Sequence, residues 1–109
     1  MHLPKILFIF AAKIWLETEI MAAISMFYGL IIYLYQFDNI RHHIPHIHVK
    51  YQGGWAVFSI LEGEIIEGEL KSDKAKLVQA WIVLRKEELL ADWELAKAGE
   101  PVFKIEPLK

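Results

Sequence analysis

Cysteine is absent from this chain of 109 residues, which excludes a disulfide framework, a thiolate nucleophile and any thiolate ligand. A bound zinc ion would therefore rest on histidine and carboxylate groups. A surplus of charge of either sign is also missing, since 12 Lys plus Arg stand against 14 Asp plus Glu for a formal charge of −2. That balance argues against capture of nucleic acid by overall charge, while leaving a local basic patch open. Glycine and proline are few, 6 and 4, so each one is informative as punctuation. What is plentiful is core material: 55% of the residues are hydrophobic, with four Trp and six Phe, which excludes a disordered chain and suits one modest domain.

Two apolar stretches raise the question of targeting or membrane insertion. His2 and Lys5 precede the run Ile6 to Ala12, but Lys13 interrupts it and no Ala-x-Ala site follows, so it is not read as a secretory signal. Residues 1–20 are read instead as an N-terminal extension: a peripheral helix, a segment folded back on the sheet, or a self-association element that would make a homodimer. Ile20 to Phe37 carries no charge and has the length of a membrane span. Ser25, Gly29 and Gln36 break it, however, and Leu30-Ile31-Ile32-Tyr33-Leu34-Tyr35 is rich in β-forming residues. A central buried strand is the expectation, with no membrane association.

The rest of the chain reads as strands followed by a helix. His46 to Gln52, Gly54 to Leu61 and Ile65 to Lys71 are short segments joined by glycine-containing links, the pattern of antiparallel hairpins. Ile47 and Val49 should face the core, as should Ala56, Phe58 and Ile60, because side chains alternate along a strand. The period changes after Ser72, a candidate helix cap followed by Asp73. Leu77, Val78, Trp81, Ile82, Leu89, Trp93 and Ala96 then form a broad apolar side over a stretch without Gly or Pro, which Gly99 and Pro101 terminate. Arg85 and Asp92 lie near that apolar side and are expected to pair at the edge of the sheet. Pro101 to Pro107 should pack as a short strand or extended tail. The predicted fold is α+β: residues 21–109 form a small, largely antiparallel four-stranded sheet, with strands near 26–37, 46–52, 54–61 and 65–71, and one long helix over 73–98 packed on a face.

Chemistry concentrates in one window. His42, His43, His46 and His48 are four of the five histidines. On a strand His46 and His48 share a face, near enough to serve one metal, phosphate or acidic group. Two functional readings follow. In the first, the chain is a small interaction module in which Arg41, His42, His43, Lys50, Tyr51 and Trp55 supply the cations and aromatics that hold a protein partner or a nucleic acid. In the second it is a phosphodiester hydrolase of ribonuclease type with His46 and His48 as catalytic groups. It either binds a divalent metal such as zinc through His46, His48 and Asp38, or works without metal by histidine acid–base chemistry with His42 or His43 as the second group. Pro45 disfavours a helical metal-binding arrangement of His42 and His46.

Met26-Phe27-Tyr28-Gly29, the segment from Asn39 to the sequence Pro45-His46-Ile47-His48, the turn Glu62-Gly63-Glu64, and Arg85 with Glu87-Glu88-Leu89-Leu90 and Trp93 together resemble a small bacterial domain of unknown function, the family numbered 4160. The resemblance covers residues 21–108. It departs from the family's Pro-His-Phe-His pattern at Ile47, which weakens any case for stacking there. It implies a compact α+β domain of bacterial, cytoplasmic origin, and a place beside another small protein in a toxin–antitoxin-like pair. No activity comes with it.

Overall fold

The computed structural model describes residues 21–36 and 43–109. The uncharged stretch divides into two strands, β1 (Met21–Phe27) and β2 (Leu30–Tyr35), in place of the single strand predicted over 26–37. The cause is local: Tyr28 and Gly29 take φ of 50° and 80°, the pair of left-handed residues that a two-residue hairpin turn demands. Phe27 consequently pairs with Leu30, and the predicted four-stranded sheet gains a fifth strand. The predicted extension, residues 1–20, lies outside the described residues.

The remaining strands fall where the alternation places them: β3 (His46–Tyr51), β4 (Gly54–Ser59) and β5 (Ile65–Gly68). All pairings are antiparallel and the spatial order follows the chain, β1-β2-β3-β4-β5. One face buries Leu30, Ile32 and Leu34 from β2, Ile47 and Val49 from β3, and Ala56 and Phe58 from β4, with Ile60 just beyond. Burying each of the larger of these side chains contributes about 1.5–3 kcal/mol, so this face dominates the stability of the sheet. At the β4–β5 contact Gly68 has no room for a side chain, since a Cβ there would lie 2.5 Å from the carbonyl oxygen of Trp55.

Across that face lies α1 (Ser72–Lys97). Ser72 is its first helical residue, and the cap position belongs to Lys71, which makes no side-chain cap hydrogen bond. Val78, Trp81, Ile82, Leu89, Trp93 and Ala96 are buried, as the apolar periodicity required, and Leu77 is partly so. The helix bends at Arg85, whose φ of −116° and ψ of 20° are not helical. On either side of the bend a side chain grips the β4–β5 connection: Gln79 Nε2 donates to the Gly63 carbonyl and Lys86 Nζ to that of Leu61, each at 3.0 Å. The predicted edge pairing of Arg85 and Asp92 takes another form. Arg85 pairs with Glu88 at 3.3 Å, whereas Asp92 is buried and accepts the Phe103 N–H at 3.0 Å.

Gly99 ends the helix. Its N–H reaches the Ala96 carbonyl and that of Glu100 reaches Leu95, the double bond of a left-handed helix stop, with Gly99 at φ 77°. Residues 101–109 then run as an extended tail beside β1, where Ile105 N–H donates to the Ile24 carbonyl at 2.8 Å. Ile105 is buried, but Phe103 is 73% exposed. No helix among the described residues is long and apolar enough to cross a membrane.

Candidate functional site

The strand register defines the sheet face opposite α1. Because Ile32, Val49 and Ala56 point to the core, their neighbours Ile31, Lys50 and Trp55 point away from it, and these pair in one row across β2, β3 and β4 that Met26 extends onto β1. A second row runs Ala23, Tyr33, His48, Val57, Glu67. His46 and its pairing partner Ser59 lie one step further on. In the first row Met26, Lys50 and Trp55 are exposed and Ile31 is half-buried; in the second Ala23 is exposed, Tyr33, His48 and Glu67 are half-buried and Val57 is buried; His46 and Ser59 are buried.

The two histidines predicted as catalytic groups and metal ligands do lie side by side, with ring centres 5.2 Å apart. Their environments differ from one another, His48 being half-buried and His46 buried. His46 is only 1% exposed, and the Trp93 indole lies 4.9 Å from it. Its Nδ1 is 2.8 Å from the Ile44 carbonyl oxygen. A carbonyl only accepts, so Nδ1 carries a proton, and in the neutral ring Nε2 is the nitrogen with the lone pair. His48 stacks nearly parallel on Tyr35, 4.1 Å between centres and 10° between planes. The outcome is a continuous row of four rings, Tyr35, His48, His46 and Trp93, linking β2 through β3 to α1.

The other predicted site residues separate into groups. Lys50 and Trp55 are direct cross-strand partners, and Lys50 Nζ sits 5.5 Å from the centre of the Tyr33 ring, a cation–π distance. Tyr51 does not join them, because one step along the strand turns it to the core side, where it packs at the margin of the core under Lys74. His43 is exposed just before β3. Asp38, Arg41 and His42 lie outside the described residues. Among the described residues, no three histidine or carboxylate groups gather in a way that could hold a metal ion. Glu67 shares the row of His48, but Val57 stands between them.

Tyr33 and Tyr35 belong to this face, although their segment reads in the sequence only as a β-rich apolar run. Their alternation with Ile32 and Leu34 is the signal that assigns them to the outer side. Asp92 is a further polar group of note. Burial raises its pKa above the ordinary carboxylate value, the Phe103 N–H opposes this, and the negative charge of Glu88 adds to it.

The fold is thus that of a small α+β domain which, over the described residues, is a five-stranded antiparallel meander with one long helix on a face. Residues 29–94 match the model of the domain of unknown function DUF4160, and the chain belongs to that family. No curated protein and no solved structure matches it.

Proposed function

We propose that this protein is a small interaction module, one member of a bacterial toxin–antitoxin-like pair, that takes a small protein partner on the open end of its outer sheet face. The observation that carries the reading is the row Met26, Ile31, Lys50, Trp55, exposed except at the half-buried Ile31, which sets an aromatic, a cation and two apolar side chains in register across four strands. Trp is enriched among residues that dominate binding energy, and a sheet presents its row without ordering a loop first. The family resemblance supports a two-protein system of cytoplasmic origin. The test is a pull-down of the product of the neighbouring gene at physiological salt, with the native chain beside Trp55→Ala and Lys50→Glu. A complex lost in both variants, with unchanged melting, is expected. A native chain that captures nothing, forms only homodimers, or retains RNA in place of protein would overturn it.

A second reading has one specific observation behind it: His46 and His48 are adjacent, and the Ile44 carbonyl fixes the tautomer of His46 so that Nε2 is the ligand or base nitrogen. In that reading the chain is a phosphodiester hydrolase, and Asp38 or His42 completes a zinc site or an acid–base pair. The depth of His46 counts against it, since water and substrate must both reach the ring. Zinc titration calorimetry and single-stranded RNA cleavage, each with and without chelator, separate this reading from the first. Binding or cleavage lost in His46→Ala, His48→Ala would favour it.

A further inference from the structure

The tail over residues 101–109 is held by three bonds of different kinds. Phe103 N–H donates to Asp92 Oδ1 at 3.0 Å, Ile105 N–H to the Ile24 carbonyl at 2.8 Å, and the Trp81 indole N–H to the Glu106 carbonyl at 2.7 Å. Among the described residues β1 is an edge strand, and Ile105 occupies the outward-facing carbonyl of Ile24. A cavity of 420 Å³ nevertheless remains between the two, lined by Ser25 and Met26 of β1, Glu88 of α1, and Lys104, Ile105 and Glu106 of the tail. The contact is a strap across an edge and not a sixth strand.

We propose that residues 101–109 are a latch that closes the β1 edge, held shut by the uncharged form of the buried Asp92 carboxyl and released as that group ionises. Asp92 is 3% exposed, and among the described residues its Oδ2 has no hydrogen-bond partner. A proton on Oδ2 removes the buried charge and leaves Oδ1 free to accept the Phe103 N–H. An ionised carboxylate keeps that bond but holds its second oxygen desolvated, which is costly until the tail lifts and water enters. Glu88, one turn earlier on α1, is negative, partly occupied by Arg85, and reinforces the sense; the tail carries Lys104 and Glu106, of opposite sign, on the cavity that Glu88 also lines, and β1 offers no titratable side chain. Burial and Glu88 together place the closed-state pKa above that of an open, hydrated carboxyl. Closure is therefore firmest below the ordinary carboxylate range, and it weakens as pH rises through the raised value. With the latch open, the β1 edge is available to an extended peptide strand.

Amide hydrogen exchange of the full chain, read by NMR and corrected for intrinsic rate, tests this. The Phe103 and Ile105 amides should open together, with less protection than Val49 and Phe58, and should lose protection as pH rises while the strand amides hold theirs. Asp92→Asn should abolish that dependence, and Glu88→Gln should end the loss at a lower pH. Protection at Phe103 and Ile105 that is independent of pH in the native chain overturns the proposal without any variant. So does exchange of these two amides only at the rate of the core, or a pH dependence that survives in Asp92→Asn.

Discussion

The indole of Trp93 packs 4.9 Å from the imidazole of His46, ring centre to ring centre, and so binds the last turns of the helix to the first residue of β3. This contact gives His46 a packing role that neighbouring His48 does not share. His46→Ala should destabilise the protein by about 2–4 kcal/mol, combining a buried ring with a lost hydrogen bond. His48→Ala, half-buried and stacked on Tyr35, should cost roughly half as much. Urea unfolding of the two variants checks the order, and equal losses would remove the distinction.

Trp81 is fully buried, lies 5.2 Å from the Phe27 ring, and donates its indole N–H to the tail. Trp81→Ala should cost about 3–5 kcal/mol. Trp81→Phe retains most of the volume but leaves the Glu106 carbonyl without its donor, so it should lose about 1–2 kcal/mol and loosen the tail ahead of the core. Thermal unfolding and the exchange rate of the Ile105 amide report the two effects separately.

Gly53 and Gly68 both have positive φ, 80° and 78°, but only Gly68 is crowded. Gly53→Ala meets open space and should cost about 1–2 kcal/mol in backbone strain alone. Gly68→Ala must also push β5 away from the Trp55 carbonyl, so it should be clearly worse, with loss of the β5 amide protections. Similar melting temperatures for the two would refute a close approach of these strands.

Stability should vary with pH through Asp92. Its pKa is raised in the folded protein, so its favourable contribution is complete below the unfolded pKa of about 4 and is lost as pH rises through the higher folded value. The melting temperature of Asp92→Asn should therefore gain on that of the native chain as pH rises from about 4 toward neutrality. A constant difference between the two would show that the carboxyl keeps its ordinary pKa.

Much of the architecture was legible because alternation is strong where one face is buried: Ile47 and Val49 on β3, Ala56 and Phe58 on β4, and the apolar side of the helix all fall where the pattern assigns them. The division of β1 from β2 was not legible, since Tyr28-Gly29 lacks the Asn or Asp that usually announces such a turn, and both flanks are equally apolar. The bend at Arg85 likewise has no Pro or Gly to signal it. At the histidine window the sequence placed His46 and His48 together but not their depths. Depth depends on Trp93, which no local pattern connects with β3. Lys50 and Trp55 share the outer face and Tyr51 does not, because adjacent residues on a strand alternate between faces.

The strict neighbour-to-neighbour order of the strands has a consequence for biosynthesis. Each hairpin of the meander is complete once its second strand has left the ribosome, so the sheet can assemble progressively during translation. The bond between Ile24 and Ile105 cannot form on that schedule, because it joins β1 to a residue that follows the other four strands and the helix. Until Ile105 emerges, the β1 edge therefore lacks the tail bond that the folded chain places on Ile24, and that interval is when mispairing with another chain is most favoured.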